Sequence, residues 1–230
     1  MCQLAPLVSR PYSPLSFESG QRFSRPFADD CVLVLENFFA LWAFDILDGE
    51  ARRLADQAIR RDVFMEESGS WRHMATLGSN ALRRLSTIVP YMYQSEDLMS
   101  FLSGIANEPV LPVPDENEQF VLNCLSRTGD HHGAHLDTYS FAFNIIMQTP
   151  PANAGGVVKI VGLRDRTEPG KCPEREVRLR AGDAYFMRTN VAVHAVSPLM
   201  VDCPRTIFNF AYRSAVDMAE TSYSSSKLYA

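Results

Sequence analysis

The residues best suited to chemistry lie in 131-HHGAHLDTYSFAF-143, where three histidines and an aspartate precede an apolar stretch that continues through Asn144, Ile145, Ile146 and Met147. Alternate side chains of a strand share a face, so His135 and Asp137, two apart, can reach one metal ion together. A third ligand must come from another segment. His194 is the only histidine downstream, and it lies in 191-VAVHAV-196, whose β-branched residues read as a strand. Two imidazoles and one carboxylate suit a divalent ion such as ferrous iron, held with positions left open. Arg205 follows eleven residues after His194 and opens the apolar run 206-TIFNFAY-212. A zinc site of the metalloprotease type would need a helix carrying two histidines four apart, with Glu directly after the first. Position 132 is His, and Gly129 and Gly133 disfavour a helix there.

Composition narrows the context. At 230 residues, with 46% hydrophobic and 21% charged residues, the chain has the make-up of a globular protein and enough length for one sizeable core. A formal charge of −5 and the lack of a Lys/Arg-rich run point away from nucleic acid and membrane surfaces and toward a small-molecule partner. The five cysteines (Cys2, Cys31, Cys124, Cys172, Cys203) are scattered and odd in number, which argues against a disulfide framework and a zinc knuckle. The opening MCQLAPLVSRPYSPL is broken by three prolines and does not read as a secretory signal, and no apolar run is long enough to span a membrane. A reducing, cytoplasmic setting is the expectation. Oligomeric state is not legible.

The metal-ligating segments must be positioned by strands. From Glu118 onward, apolar runs at 119–125, 140–148, 156–161, 175–180, 184–188, 191–196 and 206–212 alternate with Gly, Pro, Asp and Asn clusters. Such a series predicts a β-sandwich or jelly roll. Upstream, residues 1–29 carry Pro6, Pro11, Pro14 and Pro26 and predict an irregular arm, and 31-CVLVLENFF-39 predicts a buried strand. Asp48 is read as the N-cap of a helix with Leu54, Ala55, Ala58, Ile59 and Val63 on its apolar stripe. The stretch 66–80 breaks both periodicities and is either a lid or a surface connection. Helical pattern returns over 81–89, stops at Pro90, and resumes over 96–106. The expectation is a single α+β domain: a helical support at 30–110 packed on one sheet of a double-stranded β-helix, or jelly roll, at 118–213. A polar tail at 214–230 follows, a short helix fading into disorder.

The order of His-x-Asp, distal His and then Arg resembles the Fe(II)/2-oxoglutarate-dependent dioxygenases. The resemblance implies Fe(II) held by His135, Asp137 and His194, with 2-oxoglutarate and O₂ as cosubstrates. Arg205 matches the arginine that pairs with the far carboxylate of 2-oxoglutarate, with Arg213 as the fallback; Ile207 stands where many relatives have a serine-like second donor. Between Glu118 and Arg213 the chain is similar to the enzymes that halogenate or hydroxylate free amino acids. The matching segments are His132, 138-TYSFAFNI-145, 150-PPANAGG-156, 187-MRTN-190 and 205-RTIFNFAY-212. In the halogenases of that group a glycine replaces the metal carboxylate and admits halide. Asp137 therefore implies hydroxylation.

By the same resemblance, Glu118 would meet the ammonium of an amino acid, His132 its carboxylate, and Asn209 a position near the iron, with Arg72 a second carboxylate contact. A zwitterion needs such opposed charges in a desolvated pocket. The plainer readings are a solvated strand edge for Glu118, a loop residue for His132 and a buried amide for Asn209. Thr138 stands where lysine-acting relatives place an acid, which favours a neutral or smaller side chain. Desaturation, cyclisation or epimerisation on the same iron is the alternative within enzymes. A non-catalytic jelly-roll module is the alternative outside them, though a structural metal site usually has four protein ligands.

Overall fold

The computed structural model describes residues 7–9, 12–163 and 174–229. The helices are α1 (Phe17–Gln21), α2 (Ser24–Asp30), α3 (Leu41–Ala55), α4 (Ser79–Leu85), α5 (Ile88–Tyr93) and α6 (Glu96–Ala106). The strands before the sequence-predicted core are β1 (Val32–Leu35), β2 (Ile59–Met65), β3 (Ser70–Leu77) and β4 (Leu111–Pro112). Those within it are β5 (Phe120–Leu125), β6 (His131–His135), β7 (Phe141–Gln148), β8 (Val158–Leu163), β9 (Arg175–Val177), β10 (Ala184–Arg188), β11 (Ala192–Val196) and β12 (Arg205–Arg213). A π-helical turn, Ser225–Tyr229, ends the described chain.

The strands join into one curled antiparallel sheet in the order β1-β10-β7-β12-β5-β3-β6-β11-β8-β9, with β2 on β3 and β4 on β12. Alternation divides the central strands. Phe141, Phe143, Ile145 and Met147 of β7, Phe208 and Phe210 of β12, and Phe120 and Leu122 of β5 pack with Leu47, Leu54, Phe101 and Ile105 of the helices. Each phenylalanine fully buried in this layer contributes about 1.5–3 kcal/mol. The opposite parity faces the interior of the curl, where Ile146, Val158, Ile160, Tyr185 and Ile207 form a second cluster. Asn144 of β7 pairs in register with Tyr185 of β10 and with Asn209 of β12. Inside-facing polar groups thus stand side by side across neighbouring strands. The α+β jelly roll with helices on one sheet is as expected, and α6 with its Ser95 cap spans the predicted 96–106.

The first hundred residues depart from the sequence reading. The predicted arm contains α1, whose capping box joins Ser16 and Ser19, and both α1 and α2 pack on α6. Asp48 caps nothing. It lies within α3, pairing with Arg52 on the outer side, while Ala43, Leu47, Ala51 and Leu54 form the buried stripe. Ile59 and Val63 belong to a strand, and residues 70–77 form its partner in a hairpin, not a loop. The turn 66–69 keeps the mobile-looking composition, but sheet pairing with β5 and β6 overrides it over the next eight residues. Pro90 sits within α5 near its start, where a missing N–H costs least. Cys31 is disulfide-bonded, contrary to expectation, whereas Cys124 and Cys203 are free. No helix among the described residues is long and apolar enough to cross a membrane.

Candidate metal centre and substrate cavity

His135 ends β6 and His194 lies in β11; the two are direct partners across the antiparallel pair. Their ring centroids are 4.2 Å apart. Asp137 lies beyond the end of β6, so strand alternation does not bring it to His135. The turn does so, held by the Asp137 N–H donating to the Thr189 carbonyl at 2.9 Å. One carboxylate oxygen lies 3.3 Å from His135 Nε2 and the other 3.9 Å from His194 Nε2. Among the described residues these three form the one group whose ligand atoms converge, all within 4.8 Å of one another.

Each imidazole is oriented by its own backbone. His135 Nδ1 lies 2.8 Å from the Gly133 carbonyl and His194 Nδ1 lies 3.0 Å from that of Ala192. A carbonyl only accepts, so each Nδ1 carries the proton and each Nε2 presents a lone pair to the centre. Burial and neighbouring His135 push His194 down to about 4, so it is neutral at physiological pH. Burial opposes ionisation of Asp137, but its close contact with His135 and the charges of its surroundings outweigh it and hold the carboxyl at about 2. The neutral His194 and the ionised Asp137, with His135 turning Nε2 toward them, make a donor set that fits a divalent metal.

The centre opens into a cavity of about 840 Å³. All nine residues singled out from sequence line it: Arg72, Glu118, His132, His135, Asp137, Thr138, His194, Arg205 and Asn209. Arg205 is 4% exposed; its Nε donates to the Gly156 carbonyl at 2.8 Å, and it lines the cavity together with Tyr185. Arg72 is 2% exposed, with Nη1 donating to Ser70 Oγ at 2.7 Å and Nε without a partner. Burial pulls its guanidinium down to about 10. Among the described residues no carboxylate forms an ion pair with either arginine. Two buried, uncompensated cations in one cavity fit anionic ligands.

His132 stacks on His135 with centroids 4.3 Å apart and pairs across the sheet with Arg72. Burial and the adjacent imidazole and guanidinium groups hold it well below the ordinary histidine range. Glu118 precedes β5 and is 8% exposed; Oε1 accepts from Ser224 at 2.9 Å and Oε2 has no partner. Burial pushes its carboxyl up to about 8, helped by the charge of Asp137. Asn209 Nδ2 donates to Asn144 Oδ1 at 3.0 Å. The fallback Arg213 lies at the far end of β12, outside the cavity lining, and donates to the Asp217 carbonyl. His131 also stands apart, its ring against that of His73 at 5.0 Å.

The sequence reading missed Tyr185, Asn123 and the tail. Asn123, Asn144 and Asn209 each interrupt an apolar strand, and that interruption is a signal for a polar inner face. Nothing local marks Ser224 or Tyr229, which also line the cavity.

The sequence matches the family model described as Halogenase D over residues 15–229. The chain belongs to the halogenase D family. No curated protein matches the sequence. Among solved structures, this family member is similar to the non-haem α-ketoglutarate-dependent epimerase SnoN from nogalamycin biosynthesis (TM-score 0.65, 18% identity, 86% of this chain and 84% of that one). It is also similar to an oxidoreductase of the 2OG-Fe(II) oxygenase family from Burkholderia pseudomallei (TM-score 0.61, 13% identity, 93% and 96% coverage). A third is a prolyl hydroxylase from Trichoplax adhaerens, in complex with a hypoxia inducible factor fragment (TM-score 0.65, 10% identity, 86% and 90%). The halogenase D chain thus has the 2-oxoglutarate oxygenase fold.

Proposed function

We propose that this halogenase D family member is an Fe(II)- and 2-oxoglutarate-dependent oxygenase that hydroxylates an unactivated C–H of a free L-amino acid or close derivative, releasing succinate and CO₂. The observation that carries the reading is Asp137, whose carboxylate reaches both imidazoles of the pair. His135, Asp137 and His194 would hold the metal, and Arg205 with Tyr185 would hold the far carboxylate of 2-oxoglutarate. Ferrous iron bound there supplies the O₂-dependent oxidising chemistry, with 2-oxoglutarate as the reductant.

Asp137 occupies the place that a halide needs, which supports oxygen rather than halogen transfer. The cavity also matches a zwitterion: Arg72, beside His132, would take the α-carboxylate, and Glu118 the ammonium. Thr138 offers a hydroxyl instead of a charge, in keeping with an uncharged side chain. Asn209, tied to Asn144, would hold an amide near the metal centre and exclude loose water from it.

The decisive experiment incubates the purified protein with Fe(II), 2-oxoglutarate, O₂ and single amino acids, measuring succinate and product mass. Succinate above the substrate-free background, with a product sixteen mass units heavier, is the expected result. No stimulation by any amino acid would sink the substrate assignment. Epimerisation and ring closure are named for the fold relatives SnoN and the carbocyclase SnoK. An unchanged product mass would assign epimerisation here, and a loss of two units ring closure or desaturation.

A further inference from the structure

The C-terminal segment is fastened over the cavity by hydrogen bonds to three separate elements, and Tyr223, Ser224, Leu228 and Tyr229 line the cavity. The Ser222 N–H and the Ser225 hydroxyl donate to the two carboxylate oxygens of Asp115, each at 3.0 Å. The Leu228 carbonyl accepts from the Thr76 hydroxyl at 2.8 Å. Tyr223 and Lys227 donate to Glu66, in the turn between β2 and β3, at 2.7 and 2.9 Å. Gly78 permits the close approach, since a Cβ there would lie 2.3 Å from the Tyr229 carbonyl oxygen. With the segment held in this way, Ser224 and Tyr229 are the two of its lining residues that stand by the polar groups Glu118 and Asn123.

Inside, Ser224 donates to Glu118 Oε1 at 2.9 Å, and Tyr229 shares the cavity lining with Asn123. On each side an acceptor is left over. Glu118 Oε2 and Asn123 Oδ1 are buried without a partner, on side chains that belong to residues 8% and 6% exposed. A buried acceptor without a donor is costly, so a pair of them on one cavity wall marks where a ligand's donors are taken up.

We propose that residues 222–229 form the specificity-determining wall of the substrate cavity, with Ser224 positioning Glu118 toward the ammonium and Tyr229, with Asn123, meeting the remainder of the amino acid. This rests on the amino-acid reading above. Ser224 is a positioning residue: it uses up one oxygen of the carboxylate and fixes the direction of the other. Tyr229 narrows the cavity on the side carrying Asn123.

The test measures calorimetric binding of the proteinogenic L-amino acids, one at a time, to protein loaded with Fe(II) and 2-oxoglutarate without oxygen. Wild type, Ser224→Ala, Ser224→Thr and Tyr229→Phe are compared, and the visible band of the iron–cosubstrate complex reports that the core is folded. The amino acid bound by wild type should bind Ser224→Ala roughly tenfold more weakly, the worth of one hydrogen bond to a charged group. Ser224→Thr should restore it, Tyr229→Phe should alter the ranking of amino acids, and the band should persist in all four proteins. Unchanged affinity and ranking in both Ser224→Ala and Tyr229→Phe would overturn the proposal and leave the amino-acid reading standing. Binding of none of them by wild type, with the band present, would overturn both.

Discussion

Replacing Arg205 with lysine should cost this protein its hold on 2-oxoglutarate without unfolding it. Arg205 is buried, donates through Nε to the Gly156 carbonyl at 2.8 Å and lines the cavity beside Tyr185. Lysine keeps the charge and most of the apolar stem, but it cannot make a two-pronged contact while also holding Gly156. Losing one charge-assisted bond to the ligand costs about 1.5–3 kcal/mol, whereas the Gly156 bond, made with or without ligand, bears on stability and not on affinity. That loss corresponds to roughly 10- to 150-fold in affinity. Because the charge is retained, the lower end is expected. The assay is anaerobic titration of the Fe(II)-loaded protein with 2-oxoglutarate, read by the visible charge-transfer band. Arg72→Lys serves as the control, since its cation is assigned to the substrate, and its 2-oxoglutarate affinity should stay within about threefold of wild type. Wild-type affinity in Arg205→Lys, or an equal loss in both variants, would show that the two buried arginines have been assigned wrongly.

Other outcomes follow from the same geometry. Gly156 has a φ of +68°, and a Cβ there would sit 3.1 Å from Arg205 Cδ and 2.8 Å from Pro150 Cγ. Gly156→Ala should therefore weaken 2-oxoglutarate binding about tenfold and lower stability by about 1–3 kcal/mol, checked by the same titration and by denaturant melts; wild-type affinity and stability in this variant would refute the contact. Asp137→Gly should abolish hydroxylation and, even in chloride, give little or no halogenated product by mass spectrometry, because surrounding groups also tune a metal site. Efficient chlorination by that single variant would contradict this. Glu118 is raised from 4.5 to about 8 mainly by burial, with Asp137 and Asp115 adding to the rise and Ser222 and Ser224 opposing it. A raised carboxyl favours the folded state fully below 4.5, and that contribution is lost as pH climbs through about 8. Glu118→Gln should thus melt with wild type at acid pH but exceed it above pH 8, by on the order of a few kcal/mol. A gap independent of pH would refute the burial account. Anaerobic Fe(II) at a hundred times its Kd should stabilise the protein by about 2.7 kcal/mol, and Asp137→Gly should lose that gain in thermal melts.

Much of the site was legible because its chemistry is carried by side-chain type and by strand period. His135 and His194 belong to strands, so their identity, order and spacing survive whatever the helices do. The parity of Phe141, Phe143 and Ile145 against Asn144 predicts which face packs and which is left for ligands. Even so, strand alternation does not bring Asp137 to His135, since that residue lies in the loop after β6 and its N–H is held by Thr189, fifty-two positions away.

What the amino-acid sequence determined by itself was the donor set, its order along the chain and the two-residue alternation of the strands, all consequences of covalent spacing. Tertiary structure alone decided the rest. Residues 70–77 look like a loop until β5 and β6 offer them hydrogen-bond partners, and Ile59 and Val63 fit a helical stripe until that hairpin forms. The serine-rich tail has too little apolar surface to order on its own. Asp115, Thr76 and Glu66, each more than a hundred residues away, supply the partners that hold it over the cavity. Such contacts depend on distant groups being brought together by the closed sheet, and no local pattern of residues encodes them.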